Sequence, residues 1–246
     1  KLYALFTRLE FKSYITRLGL TTPETSEPVK IVSEEKLSSV TLKEGKAITE
    51  AKTALSGKKA VVVCADAFMG LALVSEGVVY KISRAECAEE DFSEFLRFVF
   101  SNEVEKTVHD KKNLYRLLKS EGVKCKNVTF DTALAAYVLD PSRKRYDIVS
   151  VSHMFGCDLD IDYEKISDPA SFSPLTGSED GLASLENVAA ALAFMEVEMR
   201  KKLSETGMES LYFEIEAPFT DVLIDMEEAG VALRKRELIE FGERLS

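Results

Sequence analysis

Between residues 60 and 82 three apolar runs follow one another with little chain between them: AVVVCA at 60–65, MGLALV at 69–74 and VVYKI at 78–82. Each is strand length, too short for a helix of typical size, and the first and third are rich in β-branched side chains. Gly70 and Gly77 punctuate the runs and predict two tight antiparallel connections. The chain then alternates. An amphipathic helix is predicted over 91–100, a short strand over 106–108 and a helix over 113–120 closed by Gly122. A strand over 128–130 follows, and Asp131 or Thr132 caps a helix that runs to Leu139 and stops at Pro141. Three adjacent strands followed by alternating helix and strand predict a mixed α/β sheet flanked by helices.

The flanks read differently. Residues 2–18 form an amphipathic pattern ending at Gly19, and 21–28 hold two prolines, three threonines, a serine and two glutamates, the composition of an exposed linker. A strand is predicted over 29–32 and a helix over 42–55 closed by Gly57. Residues 147–155 suit a short helix, and 156–180 read as an acidic loop. A long helix is predicted over 182–203. Residues 208–229 continue in helical register with a break at Pro218, Gly230 ends that helix, and another starts at Lys235. There is no internal repeat.

Composition narrows the function classes. A content of 46% hydrophobic and 30% charged residues suits a folded, soluble chain. No apolar run approaches the roughly 20 residues that span a bilayer, so no membrane role is expected. Nothing after Lys1 resembles a secretory signal. Cys64, Cys87, Cys125 and Cys157 are widely spaced with no C-x-x-C pair, which argues against a zinc or redox site and suits small apolar fillers in a reducing cytoplasm. The net charge of −10 argues against a strong autonomous nucleic-acid binder. Residues 101–150 alone carry ten Lys and Arg against seven Asp and Glu, a local +3, so a weak basic face is compatible with the sequence. No P-loop, G-x-G-x-x-G or G-x-S-x-G is present.

Three stretches taken in order resemble the family A, polymerase I-like DNA polymerases: LYALFTRLEFKSYITRLGL at 2–20, VTFDTALAAYVLDP at 128–141 and LYFEIEAPFTDVLIDMEEAGV at 211–231. The first is similar to the tail of the 5′-nuclease region, the second to a stretch of the 3′→5′ exonuclease domain, the third to the entry into the polymerase thumb. The resemblance implies a ribonuclease H-like exonuclease fold over 29–205, a piece of the 5′-nuclease region over 1–28 and the start of the polymerase domain over 206–246. It implies a parent DNA-directed polymerase of replication and repair that uses Mg²⁺ and binds DNA, with this piece binding DNA weakly at most and naming no protein partner. Lys1 in place of Met, and an ending inside a predicted helix, fit a piece of a longer protein.

Active exonucleases of that family hold two divalent ions with several carboxylates, the ions generating hydroxide and stabilising the leaving oxygen. Their first strand ends in Asp-x-Glu; here the resemblance puts Cys64 and Asp66 in those places. Their second motif has Asn and, four residues on, a metal-binding Asp; here these are Asp110 and Leu114. Their third has a Tyr and an Asp four residues on; here these are Ala183 and Asn187. A thiol and a hydrocarbon are poor partners for a hard cation. The expectation is a degenerate exonuclease domain without a metal or cofactor of its own, acting structurally, with Cys64, Leu114 and Ala183 filling the old cleft. The alternative is a weakly active or rebuilt metal-dependent nuclease using Asp66, Asp110 and Glu186. His109, His153 and the loop cations Arg143, Lys144 and Arg145 suit ordinary structural and solvated roles.

Overall fold

A computed structural model describes residues 37–43, 45–157, 172 and 178–245. The expected helix at 2–18, the linker at 21–28, the strand at 29–32 and most of the 156–180 loop lie outside the described residues. In chain order the elements are β1 (Ser38–Leu42), α1 (Gly45–Leu55), β2 (Lys59–Cys64), β3 (Gly70–Ser75), β4 (Val78–Ser83), α2 (Glu89–Val99), β5 (Glu105–Val108), α3 (Lys111–Ser120), β6 (Val128–Asp131), α4 (Thr132–Leu139), α5 (Ile148–Met154), α6 (Ser178–Glu205), a π-helical segment (Leu211–Glu216), α7 (Ala217–Ala229) and α8 (Lys235–Leu245). The six strands form one mixed sheet in the order β1-β4-β3-β2-β5-β6. β2 and β3 pair antiparallel, as do β3 and β4, while β1–β4, β2–β5 and β5–β6 are parallel.

Side-chain alternation along the strands builds a core on each face of the sheet. Ala60, Val62, Leu71 and Leu73 point towards α1, α2 and α3, where they meet Leu55, Phe92, Phe95 and Leu118. Val61, Ala72, Val74 and Phe130 point the other way, towards α4, α5 and α6. The α2 helix follows its sequence well: three acids open it, where they complement the helix dipole, and Phe92, Phe95, Leu96 and Val99 bury one stripe. Gly70 has a steric reason to be glycine. A β-carbon there would come within 2.8 Å of the buried Phe172 ring and 3.1 Å of Leu185.

Several boundaries differ from the sequence reading. Residue 42 ends a strand instead of starting a helix, because 38–42 pair with β4 from 78 to 82, a non-local contact that local pattern does not carry. α6 begins at Ser178, inside the expected loop. In place of the expected break at Pro218, the chain stays helical from 209 to 229 and widens into a π-helical turn over 211–216 just before the proline, which has no N–H to give the preceding turn.

α7 reaches the domain through α3. The sequence of α3, KKNLYRLLKS, has no acid, and that of α7, APFTDVLIDMEEA, has no base. Lys111 pairs with Asp221, Lys112 with Glu227 at 2.5 Å and Lys119 with Glu228 at 2.7 Å, while the Tyr115 hydroxyl donates to Glu228 at 3.0 Å. Ile224 is the single buried residue of α7, and Phe219, Val222 and Met226 are at least half exposed.

Candidate functional site

β2 and β5 lie side by side and parallel, so their carboxyl ends open on the same edge of the sheet, the usual place for a site in such folds. A cleft of about 380 Å³ opens there, between those strand ends, the starts of α3 and α5, and α6. Cys64, Asp66, Asp110 and Leu114 all line it. Four positions separated by 50 residues in sequence therefore meet in space. Ala183 and Asn187 do not line it; both are exposed on α6, which contributes Val188 and Leu192 instead. Cys64 and Leu114 form part of the cleft wall and leave it open, and Ala183 lies outside it, so the expected filling is not what the side chains do. Glu186 is also outside the lining and pairs with Lys81 at 2.5 Å.

Local backbone explains how each group is held. After β2 the chain turns through Asp66–Phe68, with Ala67 and Phe68 both in the left-handed region at φ 52°. Such a conformation costs a non-glycine residue about 1–2 kcal/mol; the burial of the Phe68 ring offsets it. The turn leaves Asp66 exposed at the cleft mouth, where its carboxylate takes no hydrogen bond or ion pair from the described residues. Asp110 is also left-handed, φ 58°, and its carboxylate caps α3 by accepting the Asn113 N–H at 3.0 Å. Burial, with Cys125 nearby, pushes the Cys64 thiol far above its usual pKa, so it stays protonated.

Asp131, read from sequence as a candidate N-cap, does more than cap α4. Its Oδ1 accepts the Ala133 N–H at 2.9 Å and the Asp110 N–H at 2.9 Å, and its Oδ2 accepts the Lys111 N–H at 2.8 Å. One buried carboxylate thus ties down the first turns of both α3 and α4. The Tyr212 hydroxyl accepts the Asp131 N–H at 2.7 Å and donates to the Asp131 carbonyl at 3.2 Å. Tyr212 is itself fully buried against Phe130, with ring centroids 4.9 Å apart. Burial pushes the Asp131 carboxyl up, against the pull of its backbone N–H donors.

Sequence reasoning missed three members of the cleft: His109 as a lining residue, Tyr146 and Asp147. His109 Nδ1 lies 2.9 Å from Thr132 Oγ1, and burial holds the ring below its usual pKa despite Asp131 and Asp110 nearby. Asp147 caps α5, accepting the Ser150 N–H at 3.0 Å. An acid directly before an apolar helix was the available signal. Among the described residues no three His, Cys, Asp or Glu side chains converge to hold a metal ion, and no helix is long and apolar enough to cross a membrane.

Residues 64–165 match the family described as DNA polymerase I, ribonuclease H-like domain. DNA polymerase I of Geobacillus stearothermophilus is 28% identical over 257 residues, covering 100% of this chain and 28% of that protein. That of Streptococcus pneumoniae is 30% identical over 145 residues, covering 58% of this chain and 16% of that protein. The chain therefore spans less than a third of the length of these relatives. Among solved structures, the POL domain of Pol1 from M. smegmatis, in complex with DNA primer-template and dNTP, superposes with a TM-score of 0.56 at 21% identity over 79% of this chain and 32% of that one. The catalytic core of RRP6 from Trypanosoma brucei gives 0.58 at 12% over 85% and 60%. At these identities the structural likeness establishes the ribonuclease H-like exonuclease fold. With that fold, that family match over 64–165 and relatives aligned along its whole length, the chain is a DNA polymerase I-like fragment that carries a 3′→5′ exonuclease-like domain.

Proposed function

We propose that this domain performs no metal-dependent hydrolysis and serves the polymerase as a structural module. The observation that carries the reading is the donor set of the cleft. On the resemblance, Leu114 takes the place of one metal carboxylate and Cys64 that of another; Leu114 is a 7% exposed hydrocarbon and Cys64 a thiol that burial keeps protonated. Ala183 and Asn187 lie outside the cleft, and the Asp110 carboxylate is engaged as a helix cap. These groups do not fit a pair of hard divalent ions, which need several converging oxygen ligands. The rebuilt alternative is weakened by Glu186, which pairs with Lys81 away from the cleft.

On this reading the parent is a DNA-directed DNA polymerase of replication and repair in the bacterial cytoplasm. Mg²⁺ and the main DNA contacts belong to the parent's polymerase domain, and this piece adds weak contact with DNA at most. The test is hydrolysis of end-labelled single-stranded DNA with Mg²⁺ and then Mn²⁺, using an Asp66→Ala, Asp110→Ala double variant as the contamination control. Release of nucleotides no faster than the control is expected. Metal-dependent release that disappears in the variant would overturn the reading.

A further inference from the structure

The cleft has a chemical character of its own. Val62, Val108, Leu114, Leu117, Ile148 and Leu192 give it an apolar floor. Asp66, Asp110 and Asp147 are the charged residues of its lining, and no Lys or Arg is among them. The Asp66 carboxylate has no partner among the described residues, and one oxygen of Asp110 is left over after its cap bond. Arg145 acts on Asp147 from beside the cleft without lining it. A volume of about 380 Å³ falls within the range of small-molecule sites.

We propose that this cleft binds a small apolar molecule carrying one positive charge: a primary ammonium on an aromatic or aliphatic body. The apolar body gains from burial against the floor, as any neutral compound of that size would. Charge decides among ligands of equal shape. Two or three aspartates at the mouth attract an ammonium and repel a carboxylate or phosphate. Partly exposed charge pairs are individually weak, and two or three of them together give a preference for cation over anion of about tenfold. The inference rests on the reading above, since bound metal ions would neutralise these acids.

Calorimetric titrations of the whole chain with 2-(1-naphthyl)ethylammonium and with 1-naphthylacetate compare a cation and an anion of similar shape. The ammonium is expected to bind about tenfold more tightly. An Asp66→Asn, Asp147→Asn double variant should bring the two affinities together, because Asn keeps the cap at 147 while removing charge. Leu114→Phe, checked for folding by circular dichroism, should weaken both ligands by occupying the cleft. Equal or reversed affinities in the unaltered chain, no binding of the ammonium, or unchanged binding in Leu114→Phe would each overturn the proposal. The nuclease assay separates the two ideas. Failure of ammonium binding without DNA hydrolysis removes this inference alone, and failure with metal-dependent hydrolysis removes both.

Discussion

Helix α6 meets the sheet through Leu185, Val188, Leu192, Met195 and Met199, each no more than 1% exposed, whereas α7 meets α3 through Asp221, Glu227 and Glu228. The first contact is a share of the domain core. It is made of dispersion and excluded water, and salt hardly changes it. The second is a row of ion pairs around one buried side chain, Ile224, exposed at Lys112–Glu227 and Lys119–Glu228 and half-buried at Lys111–Asp221. Pairs of that kind are screened at physiological ionic strength over a distance of about 8 Å and contribute little individually. The difference separates what the chain needs in order to fold from what sets the position of the segment after residue 216. The π-helical turn of 211–216 lies at the junction, and its Tyr212 belongs to the core side.

The contrast can be broken at four places, in order of expected effect. Met195→Ala should cost about 2–5 kcal/mol, the range for emptying a fully buried site. Urea midpoints should show the same loss at low and high salt. Gly70→Ala should cost about 1–3 kcal/mol by overpacking, since the new methyl meets the Phe172 ring at 2.8 Å; Phe172→Leu should recover part of it in the double variant.

On the ionic side, Glu228→Lys should leave the domain's unfolding midpoint nearly unchanged. It should nevertheless raise amide exchange along α7, because Lys119 and Tyr115 lose their partner and a like charge faces them. Raising the salt concentration should do the same to the unaltered chain, and α7 protection that ignores both would show that Ile224 alone holds the helix. The smallest effect is in pH. Lys106 is fully buried, its Nζ donating to the Ser101 and Val104 carbonyls at 2.8 and 2.6 Å, and burial lowers its pKa from 10.5 to about 8. Between those values the unfolded chain binds the extra proton, so the Lys106 contribution makes stability rise as pH increases through about 8. All four cysteine thiols are pushed up by burial and work in the opposite sense as pH rises through about 9, so the Lys106 contribution is read as a difference between two chains that share them. From pH 7 to 9 the denaturant midpoint of the unaltered chain should gain on that of Lys106→Met.

How much of this was legible in the sequence depends on the range of the interaction. The three strands of 60–82 declared themselves because short apolar runs are local, and Gly77 does mark the second turn; Gly70 already lies in β3, and left-handed Ala67 and Phe68 make the first turn. Asp131 did so as a cap because a carboxylate before an apolar helix is local too. Strand 38–42 did not, since only its partner β4 makes it a strand. The seam between α3 and α7 was half visible, as a basic excess in 101–150 within an acidic chain. Which acids it would face depends on topology across some 100 residues. At the site, Cys64, Asp66, Asp110 and Leu114 were placed together by resemblance and do share one cleft. Ala183 and Asn187 do not, because the face α6 presents to the cleft is set by packing at Val188 and Leu192. Tyr146 and His109 carry no sequence signal beyond their identity.

The Asp131 carboxylate, shared between two helix starts, limits how this domain can be cut and recombined. A chimera with a relative that crosses over between residues 111 and 131 takes α3 from one parent and its second cap from the other. Each parental loop length would then set where the carboxylate lands, and an offset of one residue would uncap α3, α4 or both. Crossovers before residue 109 or after 139 carry strand, cap and both helices across together. Shuffled libraries should retain folded members with crossovers at those two edges and lose them in between.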